Sequence, residues 1–220
     1  MRTIKPLIIF DFDNTIFRTR EFWRSHLFPS YESIGINRTI LETAFIAGTT
    51  KKVDYFIPDY FIDELFELTK DANFDRNTLL EIFKKQVYSP TVKKFYYPYA
   101  LKLMAKVKNA QNEMILISYG DKKFKETFFK HCGIYEFFSP ENVYIINKPK
   151  VKTLESFFNY STIIVINDVL EETEQMLKKL NKAGTRAHAF LLDYKNIYKP
   201  ENIKNNAITV CSSLKEVKIQ

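Results

Sequence analysis

Residues Leu7 to Thr15 read LIIFDFDNT, and this stretch limits the possible folds most tightly. A short apolar run beside turn-forming residues is the mark of a strand buried on both faces, as in a parallel sheet. Side chains two apart on a strand share a side, so Asp11 and Asp13 emerge together where the strand stops. Ligands of open α/β sheets bind at the carboxyl ends of their strands. Two carboxylates this close repel unless a cation lies between them. Taken alone, Asp-x-Asp is more often a plain acidic turn. What decides is whether later strands end in matching chemistry.

The later segments supply a sheet. Helical patterns fill residues 19 to 97, with no strand alternation. Asn37 is placed to cap a helix from Arg38 to Ala47 that Gly48 ends. Asp59 caps a second from Tyr60 to Lys70, and Asp75 a third running to Val87. Aromatic residues crowd this region, among them Phe22, Trp23, Phe28 and Tyr31, and a helical bundle needs such rings as core. Pro98 suits the first position of a helix to Lys108. Strands then follow at Glu113–Ser118, Val143–Asn147, Thr162–Ile166, Arg186–Leu192 and Ile208–Val210, separated by helices at Lys122–Cys132, Val151–Phe158 and after Asp168. Alternation of this kind implies an α/β fold, a Rossmann-like parallel sheet flanked by helices. The expected domains are an α/β core of residues 1–18 and 98–220 and an all-helical insertion, 19–97, after the first strand.

At 220 residues the chain is long enough for a sizeable core, and its 45% hydrophobic and 27% charged content is ordinary for a globular protein. No stretch approaches the roughly 20 apolar residues of a membrane span, and no signal peptide is visible. Cys132 and Cys211 form no metal or disulfide framework, which suits a reducing cytoplasm, the expected location. The net charge of +7 would suit a polyanion such as nucleic acid. The lysines are scattered with acids nearby, however, and read as a solvated surface that helps to draw in a small phosphorylated substrate.

Four strand ends carry Asp11 with Asp13, Ser118, Lys148 and Asp168. Each is weak alone, since Ser, Lys and Asp all serve as caps or exposed turn residues. Together they are what phosphoryl transfer through a covalent intermediate needs: a carboxylate nucleophile, a proton donor, a hydroxyl and a cation for phosphate oxygens, and a metal-binding carboxylate.

In these motifs, Asp11-Phe12-Asp13-Asn14-Thr15, Leu116-Ile117-Ser118, Lys148-Pro149, and Ile166-Asn167-Asp168 with Glu172, the chain resembles the haloacid dehalogenase-like (HAD) superfamily of phosphohydrolases. The resemblance spans essentially the whole chain, and the helical insertion falls where that family carries a C1-type cap. It implies that Asp11 attacks phosphorus, Asp13 serves as general acid and base, Ser118 and Lys148 bind phosphoryl oxygens, and Mg²⁺ is held by Asp11, Asp13 (through its carbonyl), Asp168 and Glu172. Asn14, Thr15, Tyr119, Gly120, Arg18, Lys51 and Lys52 are the implied substrate contacts, with Arg20, Arg24, Thr49 and Thr50 as further candidates in the insertion. Asn167 departs from the family's usual Gly or Asp, and Glu172 from its frequent Asp, with Glu171 an alternative to Glu172. Lys150 and Lys152 compete with Lys148, which is preferred because it sits at the strand end.

Asp13 separates phosphoryl transfer from dehalogenation, which needs no proton donor there. The expected function is a Mg²⁺-dependent phosphatase of small phosphomonoesters, of sugar phosphate or nucleotide type. The alternatives are a binding or regulatory protein on the same scaffold and a phosphatase of nucleic-acid ends. No membrane partner is expected.

Overall fold

The computed structural model describes residues 5–50 and 55–219. In chain order its main elements are β1 (Leu7–Asp11), α1 (Thr19–Phe22), α2 (Phe28–Glu32), α3 (Arg38–Thr50), α4 (Pro58–Thr69), α5 (Arg76–Val87), α6 (Ala100–Asn109), β2 (Glu113–Tyr119), α7 (Lys122–Cys132), β3 (Val143–Ile146), β4 (Thr162–Asn167), α8 (Leu170–Lys182), β5 (Arg186–Leu192) and β6 (Ile208–Cys211). Contacts divide the described residues into two compact units. One holds the residues up to Arg18, Tyr96–Ser118 and those from Tyr135 onward; the other holds those of Thr19–Phe95 together with Tyr119–Ile134.

The first unit is a six-stranded sheet in the order β3-β2-β1-β4-β5-β6, flanked by helices. β1 pairs in parallel with both β2 and β4, and β5 in parallel with β4 and β6. All five residues of β1 are buried, which is why its sequence carries no polar alternation. Each large apolar side chain so buried contributes about 1.5–3 kcal/mol. The chain leaves β1 for β2 on one side and later returns to β4 on the other. β1 therefore lies at the switch point, where an open sheet forms its binding crevice. α8 packs on β4 and β5 through Thr173, Met176, Leu177 and Leu180, a stripe at helical spacing. Glu171 and Glu172 in its first turn favour the positive end of its dipole.

The second unit is helical, with an aromatic core. Trp23, Phe56 and Phe83 contact one another, and Phe61 and, from α7, Phe124 each join Phe56 and Phe83. Those Phe124 contacts, with that of Phe128 on Phe22, explain why residues 119–134 group with the helices rather than with the sheet residues around them in sequence. Between α1 and α2 the residues Trp23–Leu27 form a π turn, next to Pro29, which has no N–H to give a carbonyl four residues back.

Caps read from the sequence recur at α5, where the Asp75 carboxylate accepts from the Thr78 N–H at 3.0 Å, and at α7, where Asp121 accepts from Phe124 at 2.7 Å. Gly133 ends α7 at φ 84°. Four other boundaries differ from expectation. α3 runs through Gly48, because the missing side chain lets α4 approach: a Cβ at Gly48 would lie 3.1 Å from the backbone of Phe61. α4 starts at Pro58, with Ile57 rather than Asp59 at its cap. Tyr99, left-handed at φ 68°, caps α6 instead of Pro98 opening it. The expected helix at 151–158 is two 3₁₀ turns, Lys150–Lys152 and Leu154–Phe157. Among the described residues no helix is long and apolar enough to cross a membrane.

Candidate active site

Strand register assembles the site. Asp11 stands opposite Ile117, so Ser118 follows one residue beyond it on β2. Phe10 stands opposite Ile166, so Asn167 and Asp168 leave β4 beside Asp11. Three motifs far apart in sequence thus finish at the carboxyl ends of three adjacent strands.

Asp11 is only 6% exposed, and both its oxygens are engaged. Lys150 Nζ donates to Oδ1 at 2.6 Å, and the Thr15 hydroxyl donates to Oδ2 at 2.6 Å. Thr15 Oγ1 also lies 3.3 Å from Asp168 Oδ1, so this hydroxyl sits between two carboxylates. Ser118, fully buried, donates from Oγ to Asp13 Oδ2 at 3.2 Å. Lys150 Nζ makes a second bond, to Glu172 Oε2 at 2.7 Å. Asn167 holds that same Oε2 with its amide at 2.9 Å, while its own Oδ1 accepts from the Asp168 N–H at 3.0 Å.

The lysine placement corrects the sequence reading. Lys148 is exposed, and so is Lys152; the buried ammonium is Lys150. Pro149 leads into two 3₁₀ turns, in which Lys150 and then Leu154 and Phe157 are the buried residues. These turns follow no single helical period, so no spacing in the sequence singled out Lys150. Glu172 faces the lysine, whereas Glu171 is exposed and accepts a hydrogen bond from Gln175. Asn14 takes the left-handed turn position at φ 57°, its N–H donating to Phe17 O at 2.7 Å. Arg18 is half-buried, while Arg20 and Arg24 are exposed. Tyr119 and Gly120 belong to the helical unit, where Tyr119 meets the ring of Tyr55 edge-on. The Thr49 hydroxyl donates to the Phe45 carbonyl of its own helix, so it is spent locally. Lys51 and Lys52 lie outside the described residues, as does the side chain of Thr50. Tyr194, which no motif marks, reaches the site by donating its hydroxyl to the Thr15 carbonyl at 2.9 Å.

Crowding sets the electrostatics. Burial raises the Asp11 carboxyl from its ordinary value, with Lys150 opposing and Asp13 reinforcing. Burial, and then the charge of Asp11, pushes Asp168 up to about 7. Burial alone would lower Lys150, but Asp11 and Glu172 outweigh it and hold the ammonium charged. One ammonium is thus shared between Asp11 and Glu172, with Asp168 close enough to feel the charges of both Asp11 and Lys150. Among the described residues no three His, Cys, Asp or Glu side chains gather into a metal-holding group. Asp11 and Asp168, whose carboxylates share the Thr15 hydroxyl, offer hard oxygen donors. That set suits a hard cation such as Mg²⁺, which keeps much of its hydration.

No family model matches the chain, and no curated protein does. Solved structures do match over most of its length. A haloacid dehalogenase-like hydrolase from Burkholderia xenovorans aligns at TM-score 0.66 and 16% identity, covering 86% of this chain and 83% of that one. The fold is that of the HAD-like hydrolases. The HAD-hydrolase YfnB from Bacillus subtilis, solved bound to magnesium, covers 97% of each chain at TM-score 0.58 and 16% identity. A dehalogenase aligns at TM-score 0.63 and 12% identity over 97% of this chain and 95% of its own. Within the HAD-like fold, then, chemistry has to be read from side chains rather than from likeness.

Proposed function

We propose that this chain is a Mg²⁺-dependent phosphatase that hydrolyses small phosphomonoesters, of sugar phosphate or nucleotide type, through an aspartyl phosphate on Asp11. The observation that carries the reading is the pairing of a buried Asp11, held by Lys150 and Thr15, with a second carboxylate at Asp13, bonded to Ser118. Asp13 supports phosphoryl transfer over dehalogenation, since an alkoxide leaving group needs a proton and a halide does not.

An Asp11 oxygen attacks phosphorus, and the P–O bond to the alcohol breaks as Asp13 gives its proton to the departing oxygen. Asp13, now ionised, takes a proton from water as that water attacks phosphorus. The P–O bond to Asp11 breaks, releasing inorganic phosphate and restoring both carboxyl groups. General acid–base help of this kind is worth roughly 10²–10⁴-fold. The Lys150 ammonium offsets the charge of Asp11 and of the incoming phosphate, and the Ser118 hydroxyl donates to a phosphoryl oxygen. Asp11, Asp168 and the Asp13 carbonyl would hold Mg²⁺, which when bound lowers the repulsion between carboxylate and phosphate.

A screen of phosphomonoesters with and without Mg²⁺ tests this. The wild type should turn over at least one substrate with Mg²⁺, and Asp11→Asn should fall on the order of 10³-fold or more. Equal activity in the two proteins overturns the reading.

A further inference from the structure

Tyr194 lies just past β5, 179 residues from Thr15 in sequence, yet its hydroxyl is bonded to the Thr15 carbonyl at 2.9 Å. Its ring is stacked on Tyr97, with centroids 3.7 Å apart and planes 8° from parallel. The backbone N–H of Tyr97 in turn donates to the carbonyl of Ile16 at 2.9 Å. Two stacked residues from distant segments thus take the two successive carbonyls of the turn that follows Asp11. The same turn is tied from within, since the N–H groups of Ile16 and Phe17 donate to Phe12 O at 3.2 and 3.1 Å.

What this fixes is Thr15. Its hydroxyl holds Asp11 Oδ2 while Lys150 holds Oδ1, so the plane of the carboxylate is set by two bonds. Swinging Thr15 away would leave Asp11 with Lys150 alone and free to rotate. Reacting atoms need alignment, and a displacement of about 1 Å can cost about 10²-fold in rate.

We propose that Tyr194 is a positioning residue, orienting the Asp11 carboxylate through Thr15. The proposal rests on the phosphatase reading above. Tyr194 bonds the turn carbonyl and not Asp11 itself; the Tyr97 stack keeps its hydroxyl in place, and the hydroxyl keeps the turn in place.

Tyr194→Phe removes the hydroxyl and keeps the ring, so it separates orientation from packing. The probe is beryllium fluoride with Mg²⁺ on the full-length protein. It mimics the phosphoryl group of an aspartyl phosphate, and ¹⁹F NMR follows it, with Asp11→Asn as the blank. Tyr194→Phe should bind it about tenfold more weakly and lose about tenfold in kcat, with KM within about twofold. In a Thr15→Val background the same change should have little further effect, because the route through Thr15 is already cut. Wild-type binding and kcat in Tyr194→Phe overturn the proposal, as does full additivity with Thr15→Val. Both results leave the phosphatase reading intact. A wild type that binds no beryllium fluoride and hydrolyses no phosphomonoester rejects that reading, and this proposal with it.

Discussion

An ammonium shared between two carboxylates is hard to replace. Lys150→Ala would leave Asp11 and Glu172 as neighbouring like charges, one buried and one half-buried, and breaking a buried pair in this way destabilises by about 3–5 kcal/mol. It should also lower kcat by about 10²–10³-fold, as expected when a charge aimed at the reacting group is lost. Lys148→Ala, at an exposed position, should leave stability within about 0.5 kcal/mol and activity within about twofold. Melting curves and steady-state kinetics on the two variants check this, and the opposite pattern would return the role to Lys148. The residue scale also shows why the site was only partly legible. Asp11, Ser118 and the pair Asn167-Asp168 follow continuous apolar runs of strand length, and those runs place them at strand ends. The lysine had no such signal. Lys148 is the first lysine beyond a strand, but Lys150 is the one buried, in the first of two 3₁₀ turns. Tyr194 had no local signal at all, because it acts through a tertiary contact with Thr15; Asn167 stood within the fourth motif, but nothing in the sequence showed that its amide would hold Glu172 five residues on.

Among the elements, those with polar punctuation were the easiest to read. Asp75, Asp121 and Gly133 mark helix ends because each satisfies backbone groups there, and the structure uses all three. Gly48 misled for a physical reason. Glycine is a poor helix former, but here it stays inside α3 because α4 comes too close for any side chain. Gly48→Val should therefore push Phe61 away and cost about 1–3 kcal/mol. For a chain of this size that is a fall of roughly 2–4 °C in Tm per kcal/mol, readable by thermal denaturation. An unchanged or raised Tm would mean that the two helices separate without penalty. The Pro98 boundary failed similarly, since the chain turns through a left-handed Tyr99 that no propensity favours.

For the molecule as a whole, strand order matters more than any single motif. Because β1 has β2 on one side and β4 on the other, residues 11, 118 and 168 meet at the carboxyl ends of adjacent strands, and the segment after β3 adds Lys150. Alternating strands and helices made that sheet legible, while its neighbours in space had to be seen. The net charge of +7 bears on encounter with anions, not on the chemistry. The proposed chemistry depends on Asp11 becoming phosphorylated. The most direct test is to mix the protein with Mg²⁺ and a substrate found in the screen, quench in acid, and map the peptides by mass spectrometry. The account predicts one phosphoryl group on the peptide containing Asp11, absent from Asp11→Asn and, with an aryl phosphate whose leaving group needs no proton, accumulating in Asp13→Ala. Turnover with no phosphoryl group on that peptide in either protein, under conditions where an aspartyl phosphate survives, would contradict it.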